Sequence, residues 1–204
     1  MFALVESGTI TQFPKGNKGI TIGDNQYPKT IYSLWTEAER NAIGIYTVAI
    51  DSTNKKDETF YINTDVTYTF TGSAVTGTYG TATAKRLNDE NAVDEDGNNL
   101  LDADGNQVIN YGLKTKYKNQ FNAQAAGLLA KTDWYVIKAA DVTSYSVPSN
   151  ITTYRAAVRT KVNAMETSID GCSDVDALIT LLTYTEDSEG VVSRPLGEFP
   201  DEVV

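Results

Sequence analysis

The stretch that decides the fold is Gln124–Met165, QAAGLLAKTDWYVIKAADVTSYSVPSNITTYRAAVRTKVNAM. Its apolar residues recur every three or four positions. Ile151, Tyr154, Val158, Val162 and Met165 form one stripe that extends to Ile169, so a helix is expected to start at Pro148-Ser149-Asn150 and to end at Gly171. Upstream, Phe121, Ala125, Leu128 and Leu129 share a face of another helix beginning near Lys114. Between them, Thr132 or Asp133 caps a short helix carrying Trp134, Val136 and Ile137. Ser173 is expected to cap a last one with Val175, Leu178, Ile179 and Leu182. Each helix is too short to persist alone, so the four must pack together or on a partner.

Outward from this block the pattern changes. Phe2–Val5 and Thr9–Phe13 flank Glu6-Ser7-Gly8 and read as a hairpin. Thr36-Glu37-Ala38-Glu39 is a capping box for a short helix stopping near Gly44, with Trp35 packed on the sheet and Ile45–Ile50 returning as a strand. Phe60–Ile62, Val66–Phe70 and Ala74–Ala84 are rich in Thr, Tyr and Val, with Gly72-Ser73, Gly77 and Gly80 as punctuation. This reads as antiparallel β with one wet face; a carbohydrate- or receptor-contacting surface is the alternative. Lys15–Gly23 is a glycine-punctuated loop without phosphate-loop spacing.

The expected fold class is α+β: an antiparallel β-rich domain at 1–86, an Asp/Gly/Asn-rich turn or hairpin connector at 87–113, a helical domain at 114–185 and an extended acidic tail at 186–204. The connector repeats itself. Asp94-Glu95-Asp96-Gly97-Asn98 and Asp102-Ala103-Asp104-Gly105-Asn106 lie eight residues apart. Alternating carboxylates raise calcium as a ligand, but the sixth and twelfth positions lack the glycine and glutamate of the calcium loop. Asp-Gly-Asn is itself a strong turn signal, and turns are the preferred reading.

The 204 residues carry a net charge of −10, which argues against nucleic-acid binding. The charges are segregated. Residues 87–113 hold seven acids and no base, 114–169 hold eight bases and three acids, and 170–204 hold nine acids and one base, Arg194. The blocks either face each other, within or between chains, or form separate solvated surfaces. No apolar run reaches membrane-spanning length and no secretory signal is read at MFALVESG, so membrane insertion is not expected. A single cysteine, Cys172, is compatible with folding in a reducing cytosol and reads as a packed thiol.

Histidine is absent, which removes the commonest general base and metal ligand. One cysteine cannot build a zinc site, and no carboxylate pair is nominated for acid–base work. The sequence therefore implies no catalytic residue, no metal and no cofactor.

The segment from Thr132-Asp133-Trp134 to Tyr154-Arg155 and Arg159, with the leucine pair before it and Pro148 within it, resembles the helical module of bacteriophage tail and tail-fibre assembly proteins. Arg194-Pro195-Leu196-Gly197-Glu198-Phe199-Pro200 fits the same surroundings. The opening MFALVESGTITQF, with Trp35 and Ile43-Gly44-Ile45, is similar to small proteins of phage tail-fibre gene clusters; Asp51–Tyr111 is not covered. The resemblance implies a non-enzymatic virion component of the tail. It would be made in the host bacterial cytoplasm, present in several copies or as a homo-oligomer, and joined to other tail or fibre proteins. The alternatives are an assembly chaperone that leaves the virion and, more weakly, a receptor- or glycan-binding tip. Interface residues are then expected on the helical module (Trp134, Tyr154, Arg155, Arg159) and on the acidic tail (Glu186, Asp187, Glu189, Glu198, Asp201, Glu202). Trp134 is also expected to be buried against Leu128 or Leu129 and the Tyr154 helix, and the tail to lie on another surface, with the Lys/Arg-rich helices of a neighbouring copy as the candidate.

Overall fold

A computed structural model describes residues 1–203; Val204, the last residue of the expected tail, lies outside the described residues. The chain is α+β, with a β-rich N-terminal region and C-terminal helices. It divides into two compact units, Met1–Thr83 and Ala84–Val204.

The first unit is built on a five-stranded sheet of order β2-β1-β5-β8-β7. Its strands are β1 (Phe2–Glu6), β2 (Thr9–Gln12), β5 (Ile45–Asp51), β7 (Val66–Phe70) and β8 (Val75–Tyr79). The β1–β2 hairpin turns at Ser7 and Gly8, both at positive φ as a tight two-residue turn requires. Neighbours pair antiparallel except β5 and β8, which run parallel from Val48↔Val75 to Asp51↔Thr78. The sheet is thus mainly antiparallel, as expected, and the one parallel pair was not anticipated because parallel pairing leaves no local turn signature.

Strand β1 is apolar on both faces because both are covered. Ala3 and Val5 join Val48 and Val75 on one side, with Tyr46, Tyr68 and Phe70 packed against them. Leu4 joins Ile20, Ile31 and Ile45 on the other, under Phe2, Tyr27, Tyr32 and Trp35. Phe13, just past β2, stacks on Tyr68 of β7 with centroids 4.6 Å apart. The two edge strands are thereby drawn together and the sheet curls. Gly77 does not punctuate strands. It sits inside β8, where a Cβ would meet Val66, Ile50 and Tyr68 at 2.7–2.8 Å.

Residues 15–23, read as one loop, end in a hairpin of β3 (Ile20–Ile22) and β4 (Asn25–Tyr27). Two helices stand where one was expected: α1 (Ile31–Leu34) and α2 (Glu37–Ala42). The capping box of α2 is present, with Glu39 N–H donating to Thr36 Oγ1 and Thr36 N–H to Glu39 Oε2. Gly44 follows at φ +83. The two-residue strands β6 (Tyr61–Ile62) and β9 (Thr83–Ala84) complete the strands up to the boundary.

The second unit opens with β10 (Glu90–Asn91) and β11 (Ile109–Asn110). Its helices are α3 (Leu113–Ala130), α4 (Asp133–Asp141), α5 (Ser149–Asp170) and α6 (Val175–Leu182), followed by the hairpin β12 (Thr185–Glu186) and β13 (Val192–Ser193). The α5 stripe Ile151, Tyr154, Val158, Val162, Met165 and Ile169 is buried along its length, opposite Phe121 and Ala125 of α3 and beside Leu178 of α6. One cap differs from expectation. Asp174, not Ser173, caps α6 by accepting from Ala177 N–H at 2.8 Å. Gly171 ends α5 as expected, at a right-handed φ of −71.

The acid-rich connector is a small pseudo-threefold knot. The Asp94 and Asp102 turns close with identical patterns: Gly97 and Gly105 both sit at φ +82, and each aspartate Oδ1 accepts from the amides two and four residues on. Val93 pairs with Asn99, Leu101 with Gln107 and Ile109 with Asn91. Each pairing is the previous one advanced by eight residues, with Asn91 closing the circle. At the centre Ala92 N–H donates to Val108 O, Val108 N–H to Leu100 O and Leu100 N–H to Ala92 O, a closed ring of 2.8–2.9 Å bonds. Gln107 Nε2 lies 2.8–3.2 Å from all three of those carbonyl oxygens. The third copy of the repeat, Gln107-Val108-Ile109-Asn110, carries no Asp-Gly-Asn and was not visible as a repeat.

Candidate protein-interaction site

The helical unit holds the expected module, but its residues divide into two roles. Arg155 is 8% exposed and works inside. Its guanidinium donates to Leu129 O at 2.8 Å, to Thr132 Oγ1 at 2.7 Å and to Asp133 Oδ1 at 2.8 Å. Leu129 O is a carbonyl at the end of α3 that also accepts from Thr132 N–H at 3.0 Å, and Asp133 opens α4. One side chain therefore satisfies a helix C-terminus and fixes the start of the next helix. Thr132 does not cap α4 with its hydroxyl, which donates back to Leu129 O at 2.9 Å.

Tyr154, 5% exposed, is also internal. Its hydroxyl is buried without a hydrogen-bond partner among the described residues, and burial pushes its pKa up. Arg159, one turn on, is exposed and donates to Arg155 O at 3.4 Å. Tyr154 and Arg155 thus shape the module from within, whereas Arg159 remains at its surface.

Trp134 is 51% exposed, which corrects the expectation of a buried anchor. The physical reason lies in α4, a helix with no buried residue. Trp134, Val136 and Ile137 are the apolar content expected of this helix, and all three stand in solvent. Ile137 is 67% exposed, and Val136 and Val142 stand out beside it. The Trp134 ring stacks on Tyr135 at 3.9 Å. Lys138 lies over Trp134 at 5.6 Å and over Tyr145 at 4.4 Å, in cation–π geometry. The result is an exposed aromatic and aliphatic ridge whose rings contact one another and Lys138. Trp and Tyr in this setting supply large contact area at little entropic cost.

The tail returns to the helices of its own chain. Leu196 is buried, its N–H donating to Leu181 O at 3.1 Å while Lys161 Nζ donates to its carbonyl at 2.7 Å. Arg194 stacks over Phe121 and Tyr184 and pairs with Glu198, which also accepts from the Tyr184 hydroxyl at 2.7 Å. Glu202 pairs with Lys131. Asp201 lines a groove of about 440 Å³ with Ser149, Thr153 and Tyr154. Glu186, Asp187 and Glu189 lie in the exposed β12–β13 hairpin, where Asp187 Oδ1 accepts from Glu189 and Val191 N–H. Basic block and acidic tail thus meet within one chain through Lys131 and Glu202. Lys118 and Asp170 form a second pair at 2.8 Å.

Cys172 is buried and burial raises its pKa, as for a packed thiol. The turn carboxylates Asp94 and Asp102 are occupied by backbone N–H groups, and no cluster of three metal-ligating side chains occurs among the described residues. Among the same residues no helix is long and apolar enough to cross a membrane. Comparison with protein-family models, with curated proteins and with solved structures finds no match for this chain.

Proposed function

We propose that the chain is a non-enzymatic structural or adaptor subunit of a bacteriophage tail, acting through protein–protein interfaces. The observation that carries this reading is the solvent-facing ridge of α4. Trp134, Val136 and Ile137 stand exposed on a helix that contributes nothing to its own core. A cluster of large apolar side chains left in water, on a backbone fixed by the Arg155 network, has the composition of an interface centre. The lack of histidine and the resemblance of the Thr132–Arg159 segment to phage tail modules point the same way.

The test is quantitative mass spectrometry of purified virions from the phage that encodes the chain. A tail subunit is present at fixed copy number, and Ile137→Asp lowers that number while the soluble protein stays folded. Absence from virions, with fibres failing to fold when the gene is deleted, would instead identify an assembly chaperone.

A further inference from the structure

The β-rich unit contains a concavity that the tail reading does not use. Its volume is about 420 Å³, and its wall is formed by Gln12–Ile20 together with Tyr32. Its position follows from local chemistry. Pro14 ends the extension of β2, and Gly16, at φ +75, turns the chain back against the rings of Phe2 and Tyr32. Gly19 then approaches Tyr27 O so closely that a Cβ would stand 2.6 Å from it. The loop Lys15-Gly16-Asn17-Lys18 is thereby bent around an open space.

The wall is electrostatically one-sided. Lys15 and Lys18 line it and no carboxylate does, although the chain as a whole carries a net charge of −10. Neither lysine forms an ion pair with another described residue. The backbone N–H groups from Lys15 to Lys18 make no hydrogen bond to another described residue either. Tyr32 adds an independent observation. Its hydroxyl is buried and has no hydrogen-bond partner among the described residues. An unpartnered buried hydroxyl costs free energy that a bound acceptor recovers. Burial also raises its pKa, so it stays protonated and able to donate. Phe13, exposed and propped on Tyr68, gives the rim a flat apolar platform.

Unpaired ammonium groups, free amides, an orphaned hydroxyl and an aromatic rim together suit one ligand chemistry. We propose that this concavity binds an oxyanion, a carboxylate or phosphate, carried on a small ring such as an acidic sugar. The lysines and loop amides hold the anion, Tyr32 donates to one of its oxygens, and Phe13 stacks on the ring. The site is independent of the α4 ridge and stands or falls separately from the tail reading.

The experiment is a ¹H–¹⁵N NMR titration of the full chain with three probes: galacturonate, inorganic phosphate and neutral galactose. Galacturonate is expected to shift the amides of residues 15–19 saturably and with salt dependence, and galactose to leave them unmoved. Tighter binding of galacturonate than of phosphate assigns the ring-borne anion, and the reverse order assigns a free oxyanion and overturns the sugar part. Lys15→Ala and Lys18→Ala should each weaken binding about fivefold at low salt. Tyr32→Phe keeps the ring against Phe2 and Gly16 and should also weaken it about fivefold. The proposal fails if these amides do not respond to millimolar galacturonate or phosphate. It fails equally if the lysine variants, folded by the same spectra, bind as the parent does.

Discussion

Arg155 donates to Thr132 Oγ1 at 2.7 Å from inside the helical unit, and the same guanidinium reaches the last turn of α3 and the first residue of α4. Removing it leaves Leu129 O and Thr132 without their charged donor in a buried place. Arg155→Met, which keeps much of the volume, should destabilise this unit by about 2–4 kcal/mol. Urea melts followed by Trp134 fluorescence would measure it. A loss within error of zero would mean that α4 is held by other contacts.

Trp134→Ala should behave in the opposite way. A half-exposed ring stacked on its neighbour Tyr135 contributes about 1 kcal/mol or less to folding, against the 3–5 kcal/mol of a large core aromatic. Its effect is expected in incorporation into tails rather than in the melt. A stability loss of core size would return Trp134 to a packing role.

Gln107 fastens the connector. Its side-chain nitrogen serves the carbonyls of Ala92, Leu100 and Val108 together. Gln107→Ala should cost about 2–3 kcal/mol locally, read as faster amide hydrogen exchange at residues 92, 100 and 108 simultaneously. Faster exchange at one of the three alone would deny the ring its unity.

The same knot carries a pH signature. Asp94 is held below the ordinary aspartate value of 3.8 first by the backbone N–H of Asn98, and Asp102 likewise by that of Asn106. A carboxyl whose folded pKa is depressed stabilises the fold above its unfolded value, and that contribution is lost as pH falls through the lowered folded value. The knot should therefore hold at neutral pH and loosen below about pH 4. Acid titration of the Gly97 and Gly105 amide shifts would follow it, and Asp94→Asn with Asp102→Asn should flatten the response.

Much of this was legible in the sequence because it is local. The α5 stripe is a local spacing of three and four residues, and the Thr36–Glu39 capping box and the two Asp-Gly-Asn turns rest on contacts within a few residues. What escaped depends on distant partners. The parallel β5–β8 pairing joins residues 27 apart at Val48↔Val75. The third repeat of the knot has no turn of its own, since its partner Asn91 lies upstream. For Trp134, the apolar content of a short capped helix could not say whether anything covers it. The space around Lys15, Lys18 and Tyr32 arises because residues of separate elements meet, which no spacing rule encodes.

The tail supplies the last prediction. Leu196 is buried, and Arg194 is sandwiched between Phe121 and Tyr184. These contacts make the segment after Tyr184 part of the helical unit's core. Leu196→Ala should cost about 2–5 kcal/mol, as for a leucine removed from a packed interior. A chain ending at Tyr184 loses Leu196 and the Arg194 stack together, so the α3–α5 pair should melt earlier, while the β-rich unit Met1–Thr83 keeps its own two-sided core and melts as before. Two calorimetric transitions, only the helical one shifted, are the expected record. The exposed Lys131–Glu202 pair adds little at physiological salt, so Glu202→Gln should leave both transitions in place. If the truncated chain melts like the full one, the tail is an appendage that the helical core does not need, and its acids become free for a neighbouring subunit.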